Sequence, residues 1–400
     1  MSFLKQIRSL AQYIWARAAS ISIASAMSYL AYLLAPVLLT GCSVMSYFSS
    51  PTKSLPAALQ AVSGEVLAKQ AWVSRVGAIN FPLNAAVVDG SVFVAGSDGS
   101  VAAIDTRTGA DVWRANTGGS ISAGVGSDGR VAAVVTQSND VVAFSGGREL
   151  WRQKINAQVY TSPFVAGGRV FVLAADRSVN AFDGQTGRKL WAQQRPSEPL
   201  VLKQSGVMLA VGDTLVVGLS GRLAGLNPSN GTIRWEAPIA SPRGVNDVER
   251  LVDLVGRVSR DGEVVCARAF QSAVGCVNAA RGNLLWTKPA NGSQGIHGDN
   301  SRLFGAEADG VVQAWNRADG ERIWTSDALR YRNLTAPLVV GRSVAVGDFA
   351  GVIHLLSREN GSLLNRFTTD GSAIAAAPVL AGTTLIAVTR NGGIYGFVPE

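Results

Sequence analysis

Short apolar runs recur in pairs along this chain, and turn residues join the two runs of each pair. The turns are mostly rich in Gly, Asp or Asn, and the runs contain mainly Val, Ala, Leu, Ile and Phe. β-Rich runs that flank such turns predict β-hairpins. Eight pairs can be distinguished, at residues 92–105, 131–145, 170–183, 215–227, 264–278, 303–316, 344–357 and 385–398.

A tryptophan follows most of these hairpins. Seven tryptophans, from Trp72 to Trp324, recur at spacings of 38 to 51 residues, and Asn365 holds an eighth position in phase with them. Six close a Gly-x-x-x-Trp motif, namely Trp113, Trp151, Trp191, Trp235, Trp286 and Trp324. Self-similarity at about 40 residues is typical of β-propellers. We therefore predict an all-β, eight-bladed β-propeller of four-stranded antiparallel blades, in which the tryptophans pack between neighbouring blades.

The two ends of the repeat array complement each other. Trp72 has no hairpin before it, and the hairpin at 385–398 has no tryptophan after it. A closed ring leaves only short, protected strand edges, which favours pairing of the two ends. The segment around Trp72 is thus predicted to complete the blade that the C-terminal hairpin begins.

The N-terminus has the pattern of a lipoprotein signal peptide. Lys5, Arg8 and Arg17 precede an uncharged run that ends in Leu-Thr-Gly-Cys at Cys42. This ending matches the lipobox, so Cys42 is expected to become an acylated N-terminus, and two or three acyl chains anchor a protein stably. Ser43, rather than an aspartate, follows this cysteine. This resembles the rule for onward export of such lipoproteins to the outer membrane. The alternative is a permanent transmembrane anchor, because the apolar run is long enough to span a bilayer.

These features divide the chain into three parts. We predict a signal peptide at 1–41, an acylated N-terminus and flexible tether at 42–70, and the propeller at 71–400. Removing the signal's three basic residues from the 36 in the chain leaves 33 against 28 acidic ones, a net charge of +5. This mild excess of basic residues does not indicate nucleic-acid binding.

Two cysteines remain after the signal, and both lie in the fifth hairpin. A two-residue Asp98-Gly99 turn would pair Val94 with Ala103 in the first hairpin. The equivalent positions of the fifth hairpin are Cys266 and Cys276, and a three-residue loop around Gln271 would place them opposite each other. We expect a disulfide between them in an oxidising compartment. An even-numbered loop would instead leave two unbonded thiols on opposite faces.

Catalytic and metal-binding patterns are not found in the sequence. His297 and His354 lie in different repeats, without cysteines or carboxylates at metal-ligand spacing. Neither a Gly-x-Ser-x-Gly nucleophile motif nor a Walker loop occurs. Aspartates such as Asp98 and Asp348 fall at hairpin turns, where they satisfy backbone donors. We expect no enzymatic activity, no metal and no cofactor.

The repeat resembles that of pyrroloquinoline-quinone-dependent alcohol dehydrogenases, for example at residues 101–113. Those enzymes are longer, and they typically carry an adjacent Cys-Cys disulfide and carboxylate ligands for calcium, which this sequence does not show. The resemblance implies the fold without the site.

The whole chain resembles the BamB family, the propeller lipoproteins of the outer-membrane β-barrel assembly machinery. Residues 196–203 resemble the family's Leu-x-Leu-Arg loop, and residues 248–255 resemble its Asp-Arg-Leu-x-Asp-Val-Asp segment. The resemblance implies binding to the periplasmic POTRA domains of BamA, with Leu200 and Leu202 as apolar anchors, Lys203 as the basic contact and Asp253 as an acidic contact. Lys203 replaces the family's arginine, and Val255 replaces its second aspartate.

The same loops are the longest insertions in the repeat array, at 194–206 and 237–262. Propellers commonly bind partners through such loops. The alternative is that Leu200 and Leu202 belong to the first strand of the fourth blade.

We therefore predict a lipid-anchored scaffold on the periplasmic face of the outer membrane. It docks BamA, helps outer-membrane proteins fold and insert, and could contact nascent ones. Three alternatives are a quinone-dependent oxidoreductase, a cell-envelope sensor and an envelope ligand-binding lipoprotein, whose candidate aromatic residues are Trp315 and Tyr331.

Overall fold

The computed structural model describes residues 54–62, 64, 66–194, 200–242, 245–247 and 250–400. Residues Pro56–Glu400 form one compact unit that contains every described strand. Cys42 and the predicted signal peptide lie outside the described residues. No helix in the described ranges is long and apolar enough to cross a membrane.

The unit consists of 32 described β-strands. In its first half they are β1 (Ala68–Arg75), β2 (Ala86–Val88), β3 (Ser91–Ala95), β4 (Ser100–Asp105), β5 (Asp111–Asn116), β6 (Ile121–Ser127), β7 (Ala132–Thr136), β8 (Asp140–Ser145), β9 (Arg148–Lys154), β10 (Phe164–Ala166), β11 (Arg169–Leu173), β12 (Val179–Asp183), β13 (Lys189–Gln193), β14 (Met208–Val211), β15 (Thr214–Leu219) and β16 (Arg222–Leu226). In its second half they are β17 (Ile233–Pro238), β18 (Leu254–Asp261), β19 (Val264–Ala269), β20 (Ala273–Asn278), β21 (Asn283–Pro289), β22 (Ile296–Gly298), β23 (Arg302–Ala306), β24 (Val312–Asn316), β25 (Arg322–Ser326), β26 (Leu338–Val340), β27 (Ser343–Gly347), β28 (Val352–Ser357), β29 (Leu363–Thr368), β30 (Val379–Ala381), β31 (Thr384–Val388) and β32 (Gly393–Pro399).

These strands form eight four-stranded antiparallel sheets, which confirms the predicted eight-bladed propeller. Blades 1 to 7 take four consecutive strands each, from β2–β5 to β26–β29. Each predicted hairpin forms the second and third strands of a blade, where nearly every side chain is buried because neighbouring blades cover both faces of the sheet.

Blade 8 is built from both ends of the propeller, as predicted. Its order is β1-β32-β31-β30, so the strand that carries Trp72 becomes the outer strand beside the C-terminal hairpin. Ala68 pairs with Pro399, and Arg75 pairs with Gly393.

The predicted register of the first hairpin is wrong by one residue. Val94 pairs with Ala102 rather than with Ala103. The loop is one residue longer than a two-residue Asp98-Gly99 turn, because the Asp98 carboxylate accepts hydrogen bonds from both the amide and the hydroxyl of Ser100. This contact stabilises a three-residue loop, in which the Gly96 amide donates to the Ser100 carbonyl.

The fifth hairpin has the three-residue loop on which the cysteine pairing depends. Cys266 pairs with Cys276 across β19 and β20, and the structure joins the two sulfur atoms in a disulfide with a Cα–Cα distance of 4.0 Å. Both residues are fully buried. Arg317 of blade 6 donates from Nη1 to Cys266 Sγ at 3.2 Å, so the bridge also contacts the next blade.

The repeated tryptophans pack between blades, as predicted, and they meet a specific partner there. The ring of each tryptophan faces the glycine of the next blade's Gly-x-x-x-Trp motif, or Gly361 in blade 7. A Cβ atom at Gly187, for example, would lie 2.6 Å from Cδ2 of Trp151. Gly187 also has a φ of +70°, which favours glycine independently of the contact.

The indole N–H groups add hydrogen bonds across the same seams. Trp151 donates to the Gly184 carbonyl at 2.9 Å. Equivalent bonds run from Trp72 to Thr106, Trp191 to Pro228, Trp286 to Arg317 and Trp324 to Arg358, at 2.8–3.0 Å. Burial of a large ring and satisfaction of its polar group therefore occur in one contact.

The seam between blades 7 and 8 is built differently. Asn365 replaces the tryptophan, and Ala68 stands where the opposing glycine would be. The Asn365 amide donates to the Val66 carbonyl at 2.5 Å, and the Gly64 amide donates to the Leu364 carbonyl at 3.0 Å. The N-terminal approach to β1 thus lies along the outer strand of blade 7.

These contacts bear on the extent of the predicted tether. Arg332 Nη1 donates to the Ala57 carbonyl at 2.9 Å, and Arg366 Nη1 donates to the Gln60 carbonyl at 2.8 Å. Ala57 and Gln60 are therefore bonded to the propeller, and β1 begins at Ala68.

Strand direction divides the loops of the ring between two ends. Because consecutive strands are antiparallel, the turns between second and third strands lie at the same end as the connections from one blade to the next. We call this end the connecting face. It carries the predicted partner loops.

Candidate functional site: the connecting face of blades 3 to 5

The predicted partner residues lie in two neighbouring connections of this face. Leu200, Leu202 and Lys203 belong to the connection between β13 of blade 3 and β14 of blade 4, and Asp253 directly precedes β18 of blade 5. Residues 195–199, 243–244 and 248–249 of these connections lie outside the described residues. The structure brings the two connections together over blades 3 and 4.

The Asp253 carboxylate joins the two connections. Its Oδ2 accepts a hydrogen bond from the Leu202 amide at 3.1 Å, and its Oδ1 accepts one from Arg177 Nη2 at 3.0 Å. Arg177 Nη2 also donates to the Leu200 carbonyl at 3.2 Å. The side chains of Arg177 and Asp253 are only 9% and 16% exposed, so solvent screens this ion pair less than a surface pair.

The residues around this ion pair differ in exposure. Leu200 is 40% exposed, Leu202 is half-buried and Lys203 is exposed. Lys203 Nζ lies 6.0 Å from the centre of the Tyr160 ring, at the limit of a cation–π contact. The segment thus presents an apolar residue and a cation on a backbone that Asp253 and Arg177 hold in place.

The structure bears on two expectations about these residues. Leu200 and Leu202 do not belong to the first strand of blade 4, because that strand is β14 and begins at Met208. Asp253 was expected to be an acidic contact for the partner, but its carboxylate is turned towards Arg177 and the Leu202 amide. Its contribution within the chain is to fix the 200–203 segment.

Sequence reasoning missed Arg177 and Tyr160. Arg177 lies in the turn between β11 and β12, at a φ of +60°, and reads as an ordinary turn residue. Tyr160 lies in the connection before β10. Both line a small cleft with Leu202 and Asp253. No local pattern connects Arg177 with Asp253, because 76 residues separate them.

The two histidines have structural partners. His297 lies on β22 rather than in a loop, and its Nδ1 accepts a hydrogen bond from the Val339 amide of β26 at 3.0 Å, which links blades 6 and 7. Burial, with the nearby charges of Arg257 and Arg317, lowers the pKa of His297 to about 3. The ring is therefore neutral at physiological pH.

His354 and Asp348 belong to a buried cluster in blade 7. His354 Nε2 lies 2.9 Å from Asp348 Oδ2, which also accepts a hydrogen bond from Arg332 Nε at 2.8 Å. Burial alone would raise the pKa of Asp348, but hydrogen bonds from His354, Val352 and Arg332 outweigh it and lower the pKa. Asp348 also accepts turn amides, as its position in the sequence predicts.

The described ranges contain no metal cluster, and one of the two candidate ligand-binding aromatic residues is buried. They contain no group of three or more His, Cys, Asp or Glu side chains that could hold a metal ion. Trp315 is 3% exposed and packs in the core beside Arg268, so it is not the exposed ligand-binding aromatic that was considered. Tyr331 is 42% exposed.

The fold and its tryptophan-marked repeat define an eight-bladed propeller of the pyrroloquinoline-quinone-like repeat class. Three solved structures share the architecture. A BamB from Moraxella catarrhalis aligns with a TM-score of 0.76 at 22% identity and covers 83% of this chain and 100% of that one. A quinohemoprotein alcohol dehydrogenase from Pseudomonas putida HK5 aligns with a TM-score of 0.65 at 14% identity, over 83% and 76%. A europium-containing methanol dehydrogenase aligns with a TM-score of 0.65 at 12% identity and covers 83% of this chain and 93% of that one.

Sequence similarity is more specific than the fold. Residues 97–326 match the family model described as outer membrane protein assembly factor BamB. The protein of that name from Burkholderia pseudomallei is 39% identical over 336 residues, which cover 83% of this chain and 88% of that protein. The one from Bordetella pertussis is 34% identical over 360 residues, covering 89% and 93%. This chain belongs to the BamB family.

Proposed function

We propose that this protein is a non-catalytic scaffold for the assembly of outer-membrane β-barrel proteins. Acylated Cys42 tethers it to the periplasmic face of the outer membrane. The connecting face of blades 3 to 5 docks the POTRA domains of BamA, and the propeller thereby supports folding and insertion of nascent outer-membrane proteins. Membership of a family named for outer-membrane protein assembly supports this role.

One structural observation carries the proposed docking site. The 200–203 segment has little regular structure of its own, yet the Asp253 carboxylate and Arg177 bind its backbone at Leu200 and Leu202. A loop held in this way loses little conformational freedom when a partner binds, and a smaller entropy cost leaves more of the contact energy for affinity. Exposed Leu200 beside a cation supplies the apolar centre and charged edge that interaction sites commonly combine.

A binding titration tests this proposal. The purified full chain, kept in detergent, would be titrated with the POTRA domains of its own organism's BamA. The Leu200→Ala, Leu202→Ala, Lys203→Ala variant should bind at least about tenfold more weakly, because truncating anchors at an interface centre typically costs 2 kcal/mol or more.

A matched control removes the same residue types elsewhere. Leu150, Leu285 and Lys154 are exposed on outer strands, so their joint replacement by alanine should leave binding unchanged. Equal binding by both triple variants would reject the 200–203 site. A wild-type protein that does not bind the POTRA domains would reject the docking role itself.

A further inference from the structure

A large cavity opens at the centre of the connecting face. Its volume is about 650 Å³, within the range of small-molecule sites. Its walls come from connections around the ring, including those near Asn80, Ser205, Asn333 and Ala376, and from the innermost strand of blade 5. It is therefore the mouth of the propeller's central channel.

The charged groups of this cavity all have the same sign. Lys203, Arg257 and Arg390 line it, and none of the described lining residues is acidic. Arg257 Nη1 donates to the Pro378 carbonyl at 2.9 Å, and Arg390 Nη1 donates to the Ile79 carbonyl at 3.0 Å. Within the described ranges, neither guanidinium has a carboxylate within ion-pair distance. Each guanidinium has five N–H donors, so most of its hydrogen-bonding capacity is available to other groups.

The strongest of these observations is that the charge of Arg257 has no counter-charge beside it among the described residues. Arg257 lies on β18, lines the cavity and is half-buried, and the partial loss of solvent around it lowers its pKa to about 10. At that pKa the guanidinium remains charged at neutral pH. A charge in such a place is costly without a counter-charge, and proteins normally pair it. The nearby His297 ring is neutral and supplies no counter-charge to Arg257.

We propose that the channel mouth is a binding site for a small organic anion, whose carboxylate or phosphate oxygens pair with Arg257 and Arg390. Guanidinium groups recognise both kinds of oxyanion through planar, paired hydrogen bonds. Lys203 lies at the edge of the site and adds attraction. The proposal does not depend on the scaffold role, since the anion contacts the channel and not the exposed leucine of the 200–203 segment.

The test uses citrate and inorganic phosphate as two separate probes of the purified full chain in detergent. Ionic strength is held constant with sodium chloride, so that general screening is the same throughout. We expect at least one probe to bind saturably by calorimetry and to raise the thermal midpoint, because a ligand that binds only the folded state stabilises it. The probe that binds identifies the oxyanion.

Variants locate the binding. Arg257→Gln should weaken it at least about tenfold, as expected for loss of hydrogen bonds to a charged group, and Arg257→Lys should restore part of it. Arg148→Gln removes the same charge from an exposed outer strand and should have no effect. If Arg257→Gln does not fold, Arg390→Gln takes its place. Absence of saturable binding by both probes, or equal binding by the channel variant and Arg148→Gln, would overturn the proposal.

Discussion

Neighbouring blades pack against each other through different residues at two seams. One seam lies between blades 2 and 3, and the other lies between blades 7 and 8. At the first, the Trp151 ring covers Gly187, and its N–H bonds the next blade. At the second, Asn365 and Ala68 occupy the equivalent positions, and Gly64 and Val66, which precede β1, are bonded to the outer strand of blade 7. The ring and the glycine are therefore one unit. Where the ring is absent, the glycine is absent too, and the chain's own N-terminal segment occupies the seam.

The largest expected difference comes from removing each side chain at its seam. Trp151 is buried, so Trp151→Ala should lower the free energy of unfolding by about 3–5 kcal/mol, through lost burial and a cavity. Asn365→Ala removes one hydrogen bond to Val66 and should cost about 1 kcal/mol. Urea denaturation of both variants measures the difference. Equal losses would mean that the two seams contribute alike.

A smaller effect is expected from adding a side chain on the opposite side of the seam. Gly187→Val places a Cβ against Trp151 and forces a branched residue to a φ of +70°, which should cost about 3 kcal/mol. Ala68→Val meets neither constraint and should change stability by less than about 1 kcal/mol. Denaturant midpoints of the two variants provide the comparison. An unchanged denaturant midpoint for Gly187→Val would show that the two blades can move apart at this seam without loss of stability.

The smallest effect concerns the inner side of the seam between blades 6 and 7, where His297 accepts the Val339 amide. The unfolded chain binds a proton at this residue near pH 6.5, whereas the folded protein does so only near pH 3. Stability should therefore fall as pH decreases from about 6.5 towards 3, by about 2 kcal/mol between pH 7 and pH 5. His297→Gln should flatten this part of the profile, measured by urea denaturation at each pH. Parallel profiles for the variant and the wild type would contradict the assignment.

The seams also explain why the fold could be predicted from the sequence. A repeated ring, a repeated glycine and a hairpin between them impose the same three-dimensional requirement in every blade, so the pattern specifies eight blades and the closure through Trp72. The register of the first hairpin could not be predicted in this way. It depends on whether the Asp98 carboxylate bonds to Ser100, and a two-residue turn and a three-residue loop both accommodate Asp-Gly.

The candidate docking site was predictable in position but not in organisation. Its long connections depart from the repeat. This departure marks Leu200, Leu202 and Lys203 as a candidate binding surface. The direction of the Asp253 side chain depends on Arg177, a distant residue of another blade. Such a pairing leaves no periodic pattern in the sequence. The same holds for Arg257 and Arg390, which share a cavity only because the ring closes.

Closure of the ring through β1 has a consequence for biosynthesis. Ala68 is near the beginning of the propeller in the order of synthesis, and its partner Pro399 follows 331 residues later in the sequence. Blade 8 therefore cannot assemble until β1 and the strands through β32 have reached the same compartment. A chain that stops before β32 leaves β1 without its partner strand and exposes an open edge, which favours aggregation and proteolysis. Completion of this blade thus distinguishes molecules that contain β32 from those that stop before it.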